Sequence, residues 1–190
     1  LASQNYDGDG YNTAVGYDAG VSVTTGTTNT LIGGLAGDAL TEGNSNVAIG
    51  YNALTTETLG DRNVAVGLGA LAVQNNTSDT DVYNTAIGYN AGAAVTTGVR
   101  NTLVGSLAGD ALNTGNFNVA IGYQTLSTED AGNYNTAIGY KALNVQDAGD
   151  AYNTAVGFQA GEAVTTGVHN TIVGGLAGDA LTTGGHNVLL

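Results

Sequence analysis

The chain has 190 residues with 16 acidic and 3 basic side chains, a net charge of −13. Arg62, Arg100 and Lys141 are its only cations, which excludes the basic surface that nucleic acid or an anionic membrane requires. Cysteine, proline, methionine and tryptophan are absent, so disulfide and thiol chemistry are excluded, and no apolar run approaches the ~20 residues that insert across a bilayer.

The first segment, "LASQNYDGDG", opens like a calcium loop, with Asn5, Asp7, Asp9 and Gly10 spaced N-x-D-x-D-G. Such a loop needs Glu at its twelfth position, which here is Gly16. Asp7 and Asp9 align with Asp79 and Asp81, and with Asp147 and Asp150, at corners of variable length. The expectation is an acidic, solvated turn and no cofactor. Calcium at Asp7, Asp9, Asp79 and Asp81 is the alternative.

From residue 12 onward one motif governs the chain. Asn12, Asn29, Asn46, Asn63, Asn84, Asn101, Asn118, Asn135, Asn153, Asn170 and Asn187 recur at spacings of 17, except for 21 after Asn63 and 18 after Asn135. Ten complete units read N-[TV]-[ALI]-[IV]-G. The second and fourth residues are β-branched or Thr and share one face of a short strand, while the third points the other way. A strand apolar on both faces calls for a solenoid interior on one side and a neighbouring wall or chain on the other. Gly16, Gly33, Gly50, Gly67, Gly88, Gly105, Gly122, Gly139, Gly157 and Gly174 close the motif and suit a positive-φ bend. The leading Asn side chains suit a ladder along the stack, or a turn.

Ala stands three residues beyond that Gly in nine units, with Thr125 the exception, and "TTG" or "TEG" often follows. This half of the unit predicts a second short strand closed by a Gly turn. Above the unit lies a longer period. "NTAVGYDAGVSVTTG" from Asn12 returns at Asn84 and Asn153, giving four-coil cassettes of 72 and 69 residues. The prediction is therefore all-β: a parallel β-solenoid of about ten 17-residue coils forming one array over residues 1–190. Both ends break off within a coil and lack a cap, so the chain reads as part of a longer array or as a unit that stacks end to end.

Other motifs are weaker. "GGLAGDAL" at 33–40 and 174–181 approaches a calcium nonapeptide, but Ala36 and Ala177 replace a required Gly and the motif comes once per cassette. Asp38, Asp110 and Asp179 then read as corner residues. "GLGALA" from Gly67 fits a dinucleotide fingerprint but is another copy of the repeat. His169 and His186 have no partnered nucleophile, and no enzyme is expected. Tyr17, Tyr51, Tyr89, Tyr123, Tyr140 and Phe158 follow the motif Gly as a column suited to wall packing or glycan contact. Thr24–Thr25, Thr96–Thr97 and Thr165–Thr166 suit turns or O-glycans, and Asn75 and Asn76 each begin an N-glycosylation sequon.

"NVAIGYNAL", "NTAIGYKAL" and "NTAVGFQAG" resemble the head repeats of trimeric autotransporter adhesins, and similar runs of phage tail-fibre shafts. The resemblance implies a left-handed β-roll, a homotrimer or end-to-end filament, and an extracellular, cell-surface or virion fibre. A cell-surface glycan or matrix receptor would be its partner. It departs from that family in its longer coils and in lacking a neck or coiled coil. A purely structural filament without a receptor is the alternative.

Overall fold

The computed structural model describes residues 3–5, 9–78 and 80–190. Each repeat contributes one three-residue strand in order: β1 Thr13–Val15, β2 Thr30–Ile32, β3 Val47–Ile49, then β5 Val64–Val66 and β7 Thr85–Ile87. They continue as β8 Thr102–Val104, β9 Val119–Ile121, β10 Thr136–Ile138, β11 Thr154–Val156, β12 Thr171–Val173 and the shorter β13 Val188–Leu189. All eleven pair in parallel, each with the next coil and in register, so that Thr13 faces Thr30 and Ala48 faces Ala65. Two further strands, β4 Gly60–Asp61 and β6 Thr80–Asp81, form a small separate pair at one corner. The chain is the predicted β-solenoid.

The strand pleat decides which side is core. The middle residue of each strand points inward: Leu31, Ala48, Ala65, Ala86, Leu103, Ala120, Ala137, Ala155 and Ile172 are buried. Its neighbours point outward and are half-buried to exposed. Buried Ala at the turn opposite and Val23, Leu40, Val95, Leu112 and Val164 complete a narrow interior.

The expected second strand does not form; consecutive turns take its place. The cause is local. The second residue after the motif Gly and the fourth both adopt left-handed conformations, as in Asp18 (φ 52°) with Gly20 (φ 56°) and Asn52 (φ 56°) with Leu54 (φ 53°). Two left-handed residues so close together curl the backbone and cannot extend it. Volume is traded across the interior to match. Where the later of these two positions is Gly37 or Gly109, Leu31 or Leu103 fills the space a Cβ would take, at 2.8 Å. Where it is Leu54, Leu71, Leu126 or Leu143, the strand offers Ala48, Ala65, Ala120 or Ala137. A close-packed core demands this compensation.

The motif Gly is required twice over. From Gly16 to Gly174 its φ lies between 131° and 143°. In every coil with another above it, an added Cβ would sit 2.5 Å or less from the carbonyl oxygen of the next motif Gly. The coils can approach to strand spacing there only because the side chain is missing.

Candidate functional site

The leading asparagines form a continuous buried ladder, built through the backbone and not by amide stacking alone. Asn12 Oδ1 accepts the N–H of Asn29 at 2.8 Å, and the same bond links each asparagine to the next as far as Asn187. Asn12, Asn29, Asn46, Asn84, Asn101, Asn118, Asn153 and Asn170 also donate Nδ2 to a glycine carbonyl fourteen residues on. Each side chain therefore satisfies one donor and one acceptor that would otherwise be buried bare. Aspartate at these positions has no N–H to give.

Four coils, in two successive pairs, replace the interior Val or Leu with polar residues, which sequence reasoning missed. Glu57 and Gln74 are fully buried neighbours in successive coils, and Glu129 and Gln146 repeat the pair. Gln74 Nε2 donates to Glu57 Oε2 at 2.8 Å and Gln146 Nε2 to Glu129 Oε2 at 2.8 Å. The other end of each Gln accepts from the ladder, from Asn84 and Asn153. Glu57 further accepts the N–H groups of Thr58, Leu59, Gly60 and Asn76. Glu129 accepts one more, from Ala148 at 3.5 Å, and its Oε1 has no partner. Burial raises the Glu129 carboxyl above its ordinary value of 4.5, with the Gln146 and backbone hydrogen bonds opposing and Asp147 adding a little. The available signal was positional: Glu and Gln stand at the coil position that is Val or Leu in the other units.

Among the acidic-corner residues, Asp7 and Asp79 lie outside the described residues. Asp9 accepts the hydroxyl of Tyr11 at 2.9 Å, and Asp81 that of Tyr83 at 3.2 Å. Asp81 also pairs with Arg62, so an arginine already sits where this corner would receive a cation. Among the described residues, no group of three His, Asp or Glu side chains is placed to share a metal. Asp38 accepts from Thr55 at 2.5 Å. Asp110 is raised by burial despite its bond from Ser127. No helix is long and apolar enough to cross a membrane among these residues.

The outward sheet face is the most unusual surface. Two columns run its length, Thr or Val from Thr13 to Val188 and Val or Ile from Val15 to Val173. The predicted aromatic column borders it on one side, with Tyr123, Tyr140 and Phe158 stacked at 5.6 and 5.2 Å between centroids. A second column, not apparent from the motifs taken singly, borders the other side. Arg100, Phe117, Tyr134, Tyr152, His169 and His186 stack in succession at 4.8 to 5.3 Å. All six immediately precede a ladder Asn, which was the legible signal, and all have left-handed backbones. Neither the paired columns nor the two borders contains a carboxylate. The two histidines thus end the π-stack. No family model, no curated protein and no solved structure matches the chain.

Proposed function

We propose that this chain is a rod segment of an extracellular fibre, at a cell surface or on a virion, that adheres through its outward sheet face. The observation that carries the reading is that face itself: eleven in-register strands present β-branched columns between aromatic borders, with no carboxylate on a chain of net charge −13. Apart from the buried Glu57, Asp61 and Glu129, the described acids lie outside the two columns and their borders, where they favour solubility. A continuous apolar and aromatic surface of this length is a contact surface. At ~4.8 Å per strand, eleven coils give a rod of about 50 Å.

Electron microscopy of the purified protein with mass by light scattering tests the fibre. Discrete rods of one or three 18.8-kDa chains support an adhesive shaft, the latter as a homotrimer. Filaments of indefinite length favour the purely structural reading, for which the near-identity of successive cassettes argues. Globular particles without a long axis would overturn both.

A further inference from the structure

The coils are nearly interchangeable at their backbone contacts. The same asparagine bond joins all neighbours, at 2.8 to 3.3 Å, and each motif Gly lies under the carbonyl of the next. Neither contact prevents a coil from being skipped, so that its neighbours pair directly while it loops out. An array with such near-equivalent pairings has competing compact states. The interior tells the coils apart. One inward position reads Val23, Leu40, Glu57 and Gln74, all fully buried, and the next cassette repeats that order from Val95 to Gln146. The third and fourth members are complementary across one coil interface, where Gln74 Nε2 donates to Glu57 Oε2 and Gln146 Nε2 to Glu129 Oε2. The fold accepts a leucine at the same position, in Leu40 and Leu112, so a carboxyl is not needed there to fill space. Replacing a buried polar pair by apolar residues of similar volume is often neutral or stabilising, whereas stranding one member destabilises.

We infer that each Glu–Gln pair is a register key, which makes one coil interface specific and so fixes the order in which otherwise equivalent coils stack, whether or not the rod adheres. Skipping the coil of Gln74 sets the Glu57 carboxyl against Val95. Skipping the coil of Glu57 sets the Gln74 amide against Leu40. Either error strands a buried polar group. The shortest skip that restores a match passes over four coils and sets Glu57 against Gln146, so the cassette is the unit of register. A single buried polar residue fixes the register of a coiled coil by the same logic. The unpartnered Glu129 Oε1 fits a pair kept for specificity, since such a pair need not be fully served.

The test is one substitution in two backgrounds, read by thermal unfolding. In the 190-residue chain Gln74→Leu takes a donor from Glu57 and lowers the midpoint. Deleting residues 46–62 removes one coil of 17 residues, Glu57 included, and joins Ser45 to Asn63 with the asparagine spacing unchanged. Gln74 then faces Leu40, and Gln74→Leu raises the midpoint. In both backgrounds Asn84 Nδ2 keeps its bond to the Gly98 carbonyl, so the ladder does not account for the difference. Any result other than this reversal of sign overturns the proposal. Should the deletion not fold, Glu129→Leu combined with Gln146→Leu decides in the full chain. Its midpoint should equal or exceed the parent's, while hydrogen exchange after refolding from urea splits into more than one population over residues 84–190. A lower midpoint overturns the key in favour of a stabilising contact, and a single population matching the parent overturns it outright.

Discussion

The corners at 57–84 and 129–153 start from the same buried Glu–Gln pair and end differently. After Asn63 the chain takes four residues more than the usual spacing, and after Asn135 only one. Around the longer corner β4 and β6 pair, and the Glu57 carboxyl accepts six donors, four from Thr58, Leu59, Gly60 and Gln74 and two from Asn76. The shorter corner forms a single bridge between Asn133 and Asp150. It leaves two buried polar atoms without partners, Glu129 Oε1 and Asn135 Nδ2. The glycine carbonyl that would take Asn135 Nδ2 lies at Gly149, where the extra residue shifts the register and the carbonyl accepts Asn133 N–H instead. A buried carboxyl group is well served where the adjoining turn directs its N–H groups onto it, as Thr58, Leu59 and Gly60 do for Glu57.

Breaking the well-wrapped site should cost the most. Glu57→Ala leaves the N–H groups of Thr58, Leu59, Gly60 and Asn76 bare, a loss of about 4 kcal/mol at 1–3 kcal/mol for each buried orphan once partial relaxation is allowed. Urea unfolding measures it, and a loss no larger than that of Glu129→Ala would remove the distinction between the corners. Next comes the ladder: Asn101→Ala deprives Asn118 N–H and Gly115 C=O of partners and should cost about 2–3 kcal/mol. Asn135→Ala loses only its bond from Asn153 N–H and should cost about half as much.

Glu129→Gln sharpens the comparison through pH. Because burial raises the folded carboxyl, its protonated form contributes stability that is present below 4.5 and is lost as pH rises through the raised value. The variant cannot ionise, so its thermal midpoint should match the parent near pH 4 and exceed it at pH 8. A gap that shrinks with rising pH would contradict the assignment. The smallest effect is Asp81→Asn, which breaks a half-exposed pair with Arg62 and should cost under about 1 kcal/mol, less in high salt.

Much of this architecture is legible in the residues themselves. The N-[TV]-[ALI]-[IV]-G spacing marks the strands, their register and the count of coils, because a period of 17 with one β-branched strand per period has few ways to bury itself. The asparagine column and the post-glycine aromatics follow from the same alignment. The turns in the second half were not legible, since Ala, Leu and Val there fit a strand equally well and only the left-handed backbones at Asp18, Asn52 and their equivalents decide against it. The buried glutamates were hidden for a related reason: an acid in a repeat corner is ordinarily solvated, and nothing local marks Glu57 as inward.

The sequence alone determined that the chain stacks, for the motif glycines permit coil contact and the asparagines bond each coil to the next. Tertiary structure decided which strand face is core, because alternation divides the residues into two sets and only the closed coil selects one. It also decided how well each buried carboxyl group is served, because the donors are backbone N–H groups whose direction only the folded turn sets.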